Sequence, residues 1–263
     1  MQSLQYFRNN QKKAEGKSKE FWAERATELE AWLASDKYKR GEYPQGIDDL
    51  ILELIEWRAI TYTIQHAQTK ANPFSEHVFF KQWLIGAIYA KHSLLGKLVG
   101  NDPRENSLRN LWWKVNKYIA RDGACKKEEL KHIEDLFHKT AGKFTNSQSK
   151  GMLLRNTVIA HNEKNIRVEW KEIDADIKIL VRIWSIIVSW SSFGILSPFR
   201  TSEQALSGLE CFFNPNEIQE LARKRKEYLN ICIGWSRTHL HNESPDPGGY
   251  FIAKISITSS VAS

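Results

Sequence analysis

The sequence predicts an all-α protein: an antiparallel helix bundle with a helical arm before it and a helical extension and tail after it. Three observations carry that expectation. Apolar residues return at the helical period in one segment after another, and Gly, Pro and Asx clusters separate these segments at helix-length intervals. Only Tyr250–Ile257 alternates like a strand, and the pattern supplies it no convincing partner, which a lone strand needs.

The first 45 residues read as one or two helices, because after Gly16 the residues Phe21, Trp22, Ala26, Leu29, Trp32 and Leu33 fall near the helical period with Lys and Glu between. Gly41-Glu42-Tyr43-Pro44-Gln45-Gly46 then breaks the chain and sets the first domain boundary, 1–45 against 46–197. From Ile47 a long helix follows Leu50, Ile51, Leu54, Ile55, Ala59 and Tyr62. It is expected to end before Asn72-Pro73, since the residue before a proline is driven out of the α region. Val78, Phe79, Trp83, Ala87, Ile88, Leu94, Leu95 and Leu98 mark the next helix, up to Gly100-Asn101-Asp102-Pro103, whose proline suits the start of a further one. That one carries Leu108, Leu111, Trp112, Val115 and Ile119 and breaks at Asp122-Gly123. A shorter helix with Leu130, Ile133, Leu136 and Phe137 ends at Ala141-Gly142.

In the polar loop beyond, Ser147 or Ser149 is placed to cap the helix that follows. Val168-Glu169-Trp170 looks extended, and Ile173, Ile177, Leu180, Val181, Trp184, Ile187 and Val188 define the last long helix of the bundle. In 198–263, Thr201 with Gln204 and Asn214 with Glu217 resemble capping boxes and Pro215 sits at a first helical position, so helices near 201–213 and 215–232 are expected.

Composition narrows the function classes. With 263 residues and 41% hydrophobic content the chain can build a sizeable core. Its longest apolar-looking run, Ile183–Leu196, is interrupted by serines and falls short of the roughly 20 residues that span a bilayer, so no membrane association is expected. The opening residues lack the apolar core of a signal peptide, and the three cysteines, Cys125, Cys211 and Cys232, form no CxxC pair. A cytoplasmic protein without a disulfide framework or thiolate zinc site is expected. A net charge of +7 favours an anionic partner such as RNA, DNA or a phosphorylated protein.

The stretch with chemistry in it is Leu154–Glu163, where Arg155, Asn156 and His161 lie within two helical turns of an apolar-sided segment. A histidine titrates near neutrality, so it can take a proton from a ribose 2′-hydroxyl or give one to a leaving oxygen, while a guanidinium neutralises the phosphoryl oxygens. That transesterification ends in a 2′,3′-cyclic phosphate, works on RNA and not DNA, and requires no metal and no cofactor. Asn156 would bond the phosphate or orient the histidine. On a straight α-helix six residues rise about 9 Å and turn about 120°. A shared site then needs a kink, the long reach of Arg155, or a second copy of the chain.

Arg155-Asn156, four intervening residues and His161 resemble the HEPN motif, an arginine and a histidine separated by four to six residues late in a helix bundle. Ile88-Tyr89-Ala90-Lys91-His92-Ser93-Leu94-Leu95 and Val168-Glu169-Trp170-Lys171-Glu172-Ile173-Asp174 resemble the abortive-infection, U-type branch of HEPN-like proteins, over about residues 60–195. The resemblance implies an all-helical bundle, a homodimer with facing motifs, and a metal-independent ribonuclease serving as a toxin or phage-defence effector, with Arg155 and His161 catalytic and Asn156 their polar neighbour. A possible antitoxin partner follows from it too. Glu163 departs from the tyrosine that some toxins of the family present to a modifying partner, and nothing in the family's pattern covers the two ends of the chain. Some family members keep the fold and bind RNA, nucleotide or a protein without cleaving, which is the alternative function.

Blander readings stand beside these. Arg155 paired to a carboxylate and His161 capping a helix end would be purely structural. His239, His241, Cys232 and Glu243 match no ligand spacing, and His132, Glu134 and His138 read as a solvated face. Arg223-Lys224-Arg225-Lys226 and Lys12, Lys13, Lys17 and Lys19 read first as charged helix faces. Lys150, Lys164 and Arg167 flank the motif and are the candidates for guiding RNA to it.

Overall fold

The protein is described here by a computed structural model covering residues 4–36, 46–69, 78–145, 148–159, 168–191, 206, 209–240 and 254–255. The chain divides into two compact units, Met1–Gln45 and Gly46–Ser263.

The first unit is a helical hairpin of α1 (Leu4–Lys13) and α2 (Gly16–Ala34). Gly16 makes the turn at φ 54°, a conformation in which glycine carries no Cβ penalty. Phe7 and Trp22 pack with ring centroids 6.0 Å apart, and Arg8 pairs with Glu30 across the hairpin.

The second unit is all-α in its described residues apart from one pair of two-residue strands. Its helices are α3 (Ile47–His66), α4 (Val78–Val99), α5 (Leu108–Arg121), α6 (Lys127–Leu136), α7 (Lys150–Leu154), α8 (Trp170–Ser191) and α9 (Pro215–Arg237). Helix α3 packs between α4 and α9, while α8 touches α3, α5, α7 and α9 and so forms the centre of the bundle. The stripes read from the sequence supply the core: Leu54, Leu95, Leu98, Trp112, Leu180 and Trp184 are all buried. Trp83 is only partly buried, against a second cluster built on Ile64, Phe80, Phe213 and Leu221.

Helix α3 ends before Asn72-Pro73 as expected, at His66, where the ring bonds the Tyr62 carbonyl at 2.8 Å and Ala67 turns extended. Local chemistry moved two other helix ends. Pro103 does not open α5. Asp102 instead captures the Arg104 amide at 3.0 Å in an Asx turn, and Ser107 becomes the N-cap by accepting from the Asn110 amide at 3.1 Å. Helix α6 ends at Leu136, short of Gly142, because Arg109 takes the Phe137 carbonyl at 2.5 Å and pins the chain there. The capping box at the head of α9 forms as expected, Asn214 and Glu217 each accepting the other's amide at 3.0 Å. The expected box at Thr201 and Gln204 lies outside the described residues, and a single 3-10 turn, Leu209–Cys211, precedes α9.

The strand-like tail has a partner after all. Val168–Glu169 (β1) pairs antiparallel with Lys254–Ile255 (β2), Val168 opposite Ile255, and Trp170, expected to be extended, is already the first residue of α8. Among the described residues no helix is long and apolar enough to cross a membrane.

Charge is also built into the core. Arg58 donates to both carboxylate oxygens of Asp174 at 2.8 Å, and the Tyr228 hydroxyl donates to the same carboxylate at 2.8 Å. Three elements, α3, α8 and α9, are thereby tied at one buried point.

Candidate active site

The candidate site begins at a helix start. Ser149 caps α7 by accepting from the Met152 amide at 3.1 Å, and its own hydroxyl donates to Asp176 of α8 at 2.7 Å. Asp176 is 1% exposed and meets the Lys143 ammonium at 3.2 Å. Burial pushes its carboxyl above the usual range, while Lys143 and Ser149 pull it back and Glu172 adds a further upward push. Gly151, the second residue of α7, lies so close to its neighbours that a Cβ there would stand 2.9 Å from Leu95 Cδ2 and 3.0 Å from Asp176 Oδ2. Met152 and Leu154 are buried beside it, so α7 is clamped between α4 and α8.

At Arg155 the helix widens into a π turn, Arg155–Ile159. Such turns hydrogen-bond one residue further along than an α-helix and recur at functional sites. The straight-helix geometry used to judge the spacing of Arg155 and His161 therefore ends at Leu154. Within the turn Thr157 donates its hydroxyl to the Leu153 carbonyl at 2.7 Å, a back-bond of the kind that bends helices.

Arg155 is half-buried and leans against α4, where a Cβ on Gly96 would lie 2.8 Å from its Nε. Its Nη1 donates to Asn156 Oδ1 at 2.7 Å. Asn156 thus holds the arginine through its side-chain oxygen. Among the described residues no carboxylate lies within ion-pair distance of Arg155. Other arginines drawn into the bundle are committed elsewhere: Arg58 to Asp174, Arg182 to Glu129, Arg225 to Glu56, and Arg109 to the carbonyls of Val99 and Phe137.

His161, Lys164 and Arg167 lie outside the described residues. Lys150, expected to guide RNA, is paired to Glu172 at 2.6 Å. The basic run of α9 is largely spent on ion pairs, Arg223 with Glu220, Lys224 with Glu227 and Arg225 with Glu56. Cys232 is buried, and His239 lies 3.5 Å from Glu129. Among the described residues no group of three or more His, Cys, Asp and Glu side chains is placed to hold a metal ion. His138, near α6, accepts the Ala141 amide at 3.2 Å and closes a turn.

Gly96, Gly151 and Asp176 were missed by reading the motif alone. The signal present in the sequence was a glycine inside a strongly apolar helix pattern, which usually marks a close approach. No family profile, curated protein or solved structure matches this chain. Fold and site define a class: an all-α bundle carrying, late in its sequence, a π turn with a half-buried arginine that pairs with no described carboxylate.

Proposed function

We propose that the protein is a metal-independent endoribonuclease of HEPN type, with Arg155 and His161 as the catalytic pair. His161 takes the proton of a ribose 2′-hydroxyl, or delivers one to the leaving 5′-oxygen, as the new oxygen–phosphorus bond forms and the old one breaks. Arg155 neutralises the charge that builds on the phosphoryl oxygens, and its planar head suits two oxygens at once. Asn156 holds that guanidinium. The products are a 2′,3′-cyclic phosphate and a 5′-hydroxyl. Lys150, Lys164 and Arg167 steer the RNA, two copies of the chain turn their motifs towards each other, and the biological setting is a toxin or phage-defence effector silenced by a partner protein.

The observation that carries this reading is that Arg155, half-buried, meets no carboxylate among the described residues and is held by Asn156 alone of its described neighbours through a side-chain hydrogen bond. Arg182 and Arg225 are by contrast paired to carboxylates, and Arg109 to two backbone carbonyls. The motif resemblance and the net charge of +7 support it further.

Purified protein incubated with tRNA or total RNA in EDTA is expected to yield fragments ending in cyclic phosphate, and His161→Ala and Arg155→Ala to lose that activity. Full activity in His161→Ala overturns the assignment. Salt-dependent RNA binding without cleavage by the unsubstituted protein would instead identify a non-catalytic binding module.

A further inference from the structure

Helix α4 contains two glycines, and the structure treats them differently. A Cβ at Gly86 would meet nothing within 4 Å. One at Gly96 would lie 2.8 Å from Arg155 Nε and 3.4 Å from both Cδ and Cζ. Neither glycine has a positive φ, so neither is required by the backbone. Glycine inside a helix is otherwise a loss relative to alanine.

We propose that Gly96 is a positioning residue for Arg155. Its missing side chain leaves a slot along the backbone of α4, and the end of the Arg155 side chain lies in that slot. The guanidinium is then bounded by α4 on one side and by the Asn156 oxygen, 2.7 Å from Nη1, on the other. Clamping α7 against α4 through Gly151 brings the arginine to this place. The consequence for catalysis rests on the ribonuclease reading; the seating of the side chain does not.

An alanine at position 96 would collide with the far end of a flexible side chain and not with backbone. The fold adapts cheaply by letting the guanidinium swing away, and the site loses its aim. Stability and activity should therefore part company, which damage to the fold would not produce.

The test compares the unsubstituted protein with Gly96→Ala and Gly86→Ala in three measurements: thermal melting, kcat for RNA cleavage in EDTA, and the Nε–H resonance of Arg155, assigned by its loss in Arg155→Lys. Both alanine variants are expected to melt at or above the parent temperature. Gly86→Ala should keep the parent kcat and resonance. Gly96→Ala should lose on the order of 10²-fold in kcat, the scale of a misplacement near 1 Å, and should shift the resonance. An unmoved resonance, or a parent-like kcat in Gly96→Ala, overturns the inference. Should Gly96→Ala melt lower, adding Arg155→Ala must restore the melting temperature if the collision is with Arg155, and failure to restore it also overturns the inference. Absence of cleavage by the parent protein removes the ribonuclease reading alone, and the resonance comparison still decides whether Gly96 seats the arginine.

Discussion

The ammonium of Lys91, on α4, lies 4.0 Å from the centre of the Trp170 ring at the head of α8. Lys91 is 1% exposed and donates to Thr61 Oγ1 at 2.9 Å, while the Arg58 guanidinium lies 4.7 Å from the same ring. The stretches Ile88–Leu95 and Val168–Asp174 thus meet through the Lys91 amino group and the Trp170 ring face. Arg58, Lys91 and Asp174 share this interior. Burial drives the Lys91 pKa well down, the charge of Arg58 drives it further, and Asp174 offsets part of that.

Lys91 should make stability depend on pH on the alkaline side. Its folded-state pKa lies below the ordinary lysine value, so the unfolded chain binds the proton better and stability rises as pH climbs from the folded value towards about 10.4. The limiting slope for one such group is about 1.4 kcal/mol per pH unit. Lys91→Met should be at least as stable as the parent at pH 7, with the difference shrinking steadily towards pH 9.5 in urea titrations. A difference that holds constant with pH contradicts this account.

Asp174 compensates Arg58, so removing its charge is expected to be severe. Asp174→Asn should cost about 3–5 kcal/mol, the range for breaking a buried pair and stranding one charge. Replacing both partners together, Arg58→Met with Asp174→Leu, should cost less than the single change. Chemical denaturation of the three proteins decides the matter, and a double variant weaker than Asp174→Asn would count against it.

Glu129 should contribute to acid stability. Its side chain is 1% exposed, accepts two bonds from Arg182 at 2.9 and 2.8 Å, and accepts the Leu240 amide at 3.0 Å. Burial pushes its carboxyl up, but the Arg182 bonds and the Leu240 amide outweigh burial and leave it below the ordinary value. A depressed carboxylate stabilises fully above its unfolded value, about 4.3, and loses that contribution as pH falls through the folded value. Glu129→Gln should be less stable than the parent at pH 7, and the gap should narrow as the pH is lowered below 4. An unchanging gap argues against the linkage.

Ser149 anchors the helix from which the candidate site springs. Ser149→Ala should cost about 1 kcal/mol for the lost cap and should speed hydrogen exchange at the Met152 amide, whose acceptor it removes. Ser149→Thr keeps an acceptor and should change exchange little. Slow exchange at Met152 in the alanine variant would show that the cap does not hold α7.

Much of the fold was legible because most of it is local. The stripes on α4 and α8 matched the observed helices, and Asn214 with Glu217 marked the start of α9 through bonds made between residues three apart. Where side chains compete for backbone groups, the sequence signals mislead: Asp102 and Ser107 overrule Pro103, and Arg109 holds the Phe137 carbonyl where α6 ends, before Gly142. The Arg155, Asn156 and His161 spacing was visible in the sequence. The π turn was not, because nothing in the period distinguishes it from a continuing α-helix.

By itself the sequence determined the all-helical class, the apolar faces and the caps at Ser149 and Asn214, since helical period and capping are set by residues within one or two turns. Tertiary structure alone decided which partner each described charge meets. Lys150 and Arg225 find carboxylates on other helices, α8 and α3, and Arg155 finds instead the bare backbone of Gly96 and the amide of its neighbour. Partnership in charge is settled by distance in the folded chain, and 59 positions separate Arg155 from Gly96 (155 − 96).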